Sequence, residues 1–81
     1  MTTILFFGEV SDRLGRERPL SLPAEGATVG EIRRRLAQAH EEADILLRPQ
    51  VRAAVDHETV TDDALVRPGQ EIVFFSVVSG G

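Results

Sequence analysis

The chain has no cysteine and no lysine. The first absence rules out disulfides and cysteine-ligated zinc, the usual staples of a domain this small. Only His40 and His57 remain as imidazole ligands. The fold of these 81 residues must therefore rest on apolar packing, with a thin core for a chain that buries only about 60% of its unfolded surface. The second absence leaves no side-chain amine, so chains self-linked by isopeptide bonds are excluded. No apolar run approaches a membrane span. The start, Met1-Thr2-Thr3-Ile4, lacks the charged region and cleavage site of a signal peptide, which points by default to a cytoplasmic location. The longest basic run is Arg33-Arg34-Arg35 in a chain of net charge −4, so a nucleic-acid surface is disfavoured. No phosphate-cradling glycine loop is present, and the chain is expected not to bind ATP itself.

What is present reads as one domain over residues 1–81, with residues 76–81 as a C-terminal tail. Ile4-Leu5-Phe6-Phe7 and Ile72-Val73-Phe74-Phe75 are continuous apolar runs, as expected of strands buried on both faces. Asp12 to Arg16 reads as a turn. Arg18 to Leu22 reads as a more exposed strand, whose Pro19 suits a sheet edge. Thr28-Val29-Gly30-Glu31 fits a capping box, and Val29, Ile32, Leu36 and Ala39 fall on one face of a helix reaching about His40. Ala43 to Leu47 adds a short helical turn before Pro49. Val51 to Val55 is a third strand, Asp56-His57-Glu58 a turn and Thr59-Val60 a brief fourth strand. Leu65-Val66 leads into the turn Arg67-Pro68-Gly69-Gln70.

The two most apolar strands lie at opposite ends of the sequence. Pairing them in parallel at the centre of a sheet, with the helix over one face, gives an α+β, ubiquitin-like β-grasp fold. Its mixed sheet of about five strands packs against one main helix and ends in a flexible C-terminal tail. If Ile4, Phe6, Ile72 and Phe74 face the helix, then Leu5, Phe7, Val73 and Phe75 face away. Apolar surface exposed in that way often marks a partner site.

These residues resemble the small, sulfur-carrying subunit of molybdopterin synthase. The resemblance runs through Ile4-Leu5-Phe6-Phe7-Gly8-Glu9-Val10, Thr28-Val29-Gly30-Glu31-Ile32, Ala53-Ala54-Val55-Asp56 and Pro68-Gly69-Gln70-Glu71-Ile72-Val73-Phe74-Phe75. It closes on Val78-Ser79-Gly80-Gly81 and so spans essentially the whole chain. The chain departs from the family at Ser76-Val77, where a proline-rich step is usual, and at Asp56, where asparagine is usual.

The resemblance implies a carrier whose reactive group is the terminal carboxylate of Gly81. A carboxylate is a poor electrophile, and adenylation by an ATP-using partner supplies a leaving group. A sulfur donor then displaces AMP, and the resulting thiocarboxylate donates sulfur to the pterin precursor, precursor Z, building the dithiolene that binds molybdenum. The implied partners are the large catalytic subunit, in a heterotetramer, a ubiquitin-activating-like adenylyltransferase, and a sulfur donor of the cysteine desulfurase or rhodanese type. The chain would not be catalytic alone and would bind no cofactor or metal. Gly80 serves as a spacer without side-chain bulk, and Phe7, Phe75, Thr59, Val60, Val77, Val78 and Ser79 form the partner-binding set. Ordering about four tail residues costs about 4–8 kcal/mol. Docking of an aromatic such as Phe7 or Phe75, worth about 1.5–3 kcal/mol each, offsets part of that.

Three other patterns carry less. Asp56-His57-Glu58 offers metal-ligating atoms, but three adjacent residues of a turn cannot all converge on one ion. Ser76, Ser79 and His57 form a hydrolase-like set without a nucleophile elbow or oxyanion motif. Arg33-Arg34-Arg35 reads as a solvated helix face. Other functions open to a β-grasp chain ending in two glycines are a carrier for thiamine thiazole or tRNA thiolation, a ubiquitin-like modifier conjugated through Gly81, and an interaction domain with an inert tail.

Overall fold

In the computed structural model, which describes residues 2–76, the two apolar runs lie side by side. Strand β1 (Thr2–Phe7) pairs in parallel with the last strand, β7 (Ile72–Ser76), in the register Ile4–Ile72, Leu5–Val73, Phe6–Phe74 and Phe7–Phe75. Between them in sequence come α1 (Glu9–Leu14), β2 (Glu17–Leu20), β3 (Ala27–Thr28), α2 (Val29–Ala39), a 3-10 helix (Glu41–Leu47), β4 (Val51–Val55), β5 (Glu58–Val60) and β6 (Leu65–Val66). The main sheet has five strands in the order β2-β1-β7-β4-β5, and β3 and β6 form a separate antiparallel pair. This is the β-grasp arrangement expected from the sequence, with β2 and its Pro19 at an edge.

The sheet sends alternate side chains to opposite faces. Ile4, Phe6, Ile72 and Phe74 are buried toward α2, together with Ile32 and Leu36 of the helix and Val51 and Ala53 of β4. The Phe6 and Phe74 rings stack with centroids 6.3 Å apart. Among the described residues no element covers the other face, and the runs are fully buried on the helix side only. Leu5, Val73 and Phe75 are partly exposed and Phe7 is 58% exposed.

Helix α2 begins as the sequence predicts. The Thr28 hydroxyl accepts from the Glu31 amide at 3.2 Å, and the Thr28 amide donates to the Glu31 carboxylate at 3.1 Å. The next two amides are also satisfied: Val29 donates to the Ala64 carbonyl and Gly30 to that of Asp62. The helix ends at Ala39 with His40 as its C-cap. Ala39 itself is exposed, because the apolar face has rotated away from the core by the last turn.

Four expectations need correction. The segment read as a turn at Asp12–Arg16 is mostly helix α1, which buries Val10 and Leu14 one turn apart against the core. Leu65-Val66 is a strand, stabilised by pairing with Ala27-Thr28 rather than by its own propensity. Strand β7 extends through Ser76, which pairs with Val51, so Ser76 belongs to the sheet rather than to the tail.

Arg33 is the fourth correction. It lies four residues after Val29 on the buried side of α2 and is only 8% exposed. Its Nε donates to Asp62 at 2.9 Å and its Nη1 to the Leu46 carbonyl at 2.6 Å. The guanidinium sits 5.2 Å from the Phe74 ring centroid, a cation–π geometry.

Gly26 marks the tightest backbone approach. Its φ is +89°, and an added Cβ would lie 2.5 Å from the Val66 carbonyl oxygen. Gly26→Ala is expected to lower stability by about 1–3 kcal/mol from backbone conformation alone, with the clash adding to it. Urea denaturation measures the loss; an unchanged midpoint would contradict the close β3–β6 approach. Among the described residues no helix is long and apolar enough to cross a membrane.

Candidate functional site: the open sheet face beside the last strand

The strand register places the sequence-predicted residues directly. On the open face, Phe7, Phe75 and Arg52 form one row across β1, β7 and β4. A second row runs Glu17, Leu5, Val73, Ala54 and Thr59 across all five strands. Phe7, Phe75 and Thr59 therefore share a face. Val60 does not: it pairs with buried Ala53 and packs against the core on the helix side. Sequence reasoning missed Arg52, although the alternation in Val51-Arg52-Ala53 is a readable signal that it faces away from the core.

The Phe7–Phe75 row lies at the end of β7 nearest to Gly80 and Gly81 in sequence. Val77, Val78, Ser79, Gly80 and Gly81 lie outside the described residues. The point from which they continue is held firmly. Gly8, with φ +69°, turns the chain out of β1 into α1, and the amide of Glu9 donates to the Ser76 hydroxyl at 3.2 Å. A Cβ on Gly8 would come within 3.1 Å of the same Ser76 oxygen. The end of the last strand is thus tied to the start of α1 beside the exposed Phe7 ring. No sequence motif announces this tie, because it joins residues 67 positions apart.

The opposite end of β7 is held by Asp56. Asp56 and His57 form the two-residue loop between β4 and β5, with φ of 48° and 73°, both left-handed. This backbone suits the type I′ hairpin turn, for which aspartate and asparagine are favoured. The Asp56 carboxylate accepts from the Glu71 amide at 3.0 Å and from Gln70 Nε2 at 2.9 Å. The Glu71 amide first, and then Gln70, hold this carboxyl below its ordinary value of 3.8. Because folding lowers the pKa, Asp56 adds stability above about pH 4, and that contribution is lost as pH falls through the lower folded value. The stability gap between the native chain and Asp56→Asn is expected to narrow between neutral pH and about pH 2. Urea midpoints at the two pH values measure it; a constant gap would contradict the assignment.

The remaining polar candidates are dispersed. His57 Nε2 lies 3.2 Å from Glu71 at the start of β7, while Ser76 ends that strand. Five residues of strand separate them by roughly 15 Å, so they do not form a catalytic pair. Among the described residues, no group of three or more His, Asp or Glu side chains could hold a metal ion. The Leu5, Phe7, Val73 and Phe75 side chains of this face can bind through apolar contact.

Comparison with known proteins agrees with this geometry. The sequence profile of the ThiS family matches residues 4–81. No curated protein matches the chain. SAMP1 from Haloferax volcanii superposes with a TM-score of 0.81 at 20% identity, over 99% of this chain and 98% of that one. A crystal structure of H. volcanii small archaeal modifier protein 1 gives a TM-score of 0.79 at 19% identity, covering 95% and 97%. A Pyrococcus furiosus protein, provisionally assigned as molybdopterin converting factor subunit 1, gives 0.75 at 21% identity, covering 95% and 97%. At these identities the superpositions establish the shared fold. The match over nearly the whole length establishes more: this chain belongs to the ThiS family of β-grasp sulfur carriers.

Proposed function

We propose that the chain is the sulfur-donating small subunit of a molybdopterin synthase. The observation that carries this reading is the exposed Phe7–Phe75 row beside the anchored end of β7. It provides a docking surface next to the point from which residues 77–81 continue to Gly81. ThiS-family carriers work with ubiquitin-activating-like adenylating partners. In the proposed cycle such a partner joins the Gly81 carboxylate to AMP and releases pyrophosphate. Sulfide delivered by a sulfur donor then attacks the acyl carbon, the bond to AMP breaks, and AMP and a proton depart to leave a thiocarboxylate at Gly81. The large catalytic subunit receives that terminus through the same open face, and the sulfur passes to the pterin precursor.

The paired phenylalanines in both central strands favour this pathway over thiazole or tRNA thiolation. The likeness to H. volcanii small archaeal modifier protein 1 supports a second reading, in which Gly81 is joined to lysines of other proteins. Reconstitution separates the two. Thiocarboxylated chain mixed with a molybdopterin synthase large subunit and pterin precursor should yield the dithiolene, detected by its oxidised fluorescent derivative. Absence of product with a competent large subunit, alongside covalent conjugates in cell extracts, would favour the modifier.

A further inference from the structure

A second surface lies at the edge of the sheet, beyond the end of β5, and shares Arg52 with the Phe7–Phe75 row. Where β5 ends, the groove between α2, the end of the 3-10 helix and the start of β4 encloses about 250 Å³. Arg33, Arg34, Arg48 and Arg52 line it, against a single carboxylate, Asp62. The chain as a whole carries nine basic and thirteen acidic side chains, so positive charge is concentrated here against the general sign of the molecule. Arg33 forms part of the lining with its guanidinium engaged by Asp62 and the Leu46 carbonyl. Arg34, Arg48 and Arg52 are exposed and make no ion pair among the described residues. Between them lie Leu47, which is 55% exposed, and Val60.

We infer that this groove docks a short acidic segment of a partner protein, carrying one apolar side chain among its carboxylates. The exposed guanidiniums can pair with carboxylates in bidentate fashion. Leu47 and Val60 offer the apolar side chain a seat that a free phosphate would leave unused. A nucleic-acid backbone fits poorly, because beyond the groove it meets the acidic remainder of the chain. The groove borders the open face at Arg52, which pairs with Phe75 in the sheet. The inference does not depend on the sulfur-carrier cycle.

The test uses the full chain, isotope-labelled, and a capped peptide of sequence Asp-Glu-Leu-Glu-Asp followed by NMR. Saturable shifts are expected at Arg34, Leu47, Arg48 and Val60, weakening as salt is raised. The doubly substituted chain Arg34→Ser/Arg48→Ser should bind at least tenfold more weakly, as should a peptide with serine in place of leucine. Arg13→Ser/Arg67→Ser, remote from the groove, should leave binding unchanged. Three outcomes would overturn the inference. The peptide produces no localised shifts; pyrophosphate alone gives the same shifts with the same affinity; or the groove signals respond to dilution of the free chain, showing that a second copy is the occupant.

Discussion

Removing Gly80 and Gly81 is expected to abolish sulfur loading completely while leaving the urea midpoint unchanged. In the proposed cycle the terminal carboxyl group of Gly81 is the only group of the chain that changes its bonds. The core cluster among the described residues runs from Ile4 to Phe74, upstream of those glycines. Among the described residues sheet pairing reaches Ser76, whose hydroxyl accepts from the Glu9 amide. The truncated chain should therefore still dock to an adenylating partner and inhibit loading of the intact chain. A truncated chain that failed to fold, or one that still accepted sulfur, would refute the separation of scaffold from reactive terminus.

The adjacent phenylalanines of β1 give the second large contrast. Phe6 is 1% exposed and stacks on Phe74, whereas Phe7 is 58% exposed on the other face. Phe6→Ala should cost about 3–5 kcal/mol through lost transfer energy and an unfilled cavity. That is a large part of the roughly 5–15 kcal/mol available to a small domain. Phe7→Ala should change stability by about 1 kcal/mol or less, yet weaken partner docking by about 2 kcal/mol, some 30-fold, if the ring is a central anchor. Thermal unfolding and titration calorimetry with an adenylating partner measure both. Equal stability losses at the two positions would mean that the open face is not open. Unchanged docking in Phe7→Ala would remove the ring from the interface.

The central architecture was legible because it is written in long, redundant signals. Two four-residue apolar runs fix the strand pair, and a capping box followed by Val29, Ile32 and Leu36 fixes the helix. Once one face of each run was assigned to the core, alternation placed Phe7 and Phe75 on the other. Short elements were harder to read. Helix α1 has two apolar residues in six, and β3 and β6 have two residues each, so their conformations depend on partners distant in sequence. Arg33 was misread because three adjacent arginines suggest solvent. Its position four residues after Val29 puts it on the buried face, where Asp62 and the Leu46 carbonyl compensate its charge.

The candidate site was legible to a similar degree. Thr59 falls on the open face as the strand alternation requires, but Val60, its neighbour, necessarily falls on the other. The tie between Glu9 and Ser76 could not be read from the sequence, since it depends on the parallel register of β1 and β7 bringing Gly8 beside Ser76. The arginine groove was equally hidden: its arginines come from α2, from the residue after the 3-10 helix and from β4. Only the fold brings them together.

The most direct measurement is the intact mass of the full-length chain after incubation with its adenylating enzyme, ATP and a sulfide source. The account requires the exchange of one oxygen for sulfur, located by fragmentation at Gly81 and dependent on ATP. A mass that stays unchanged while the same enzyme forms an acyl-adenylate on a known carrier would contradict it.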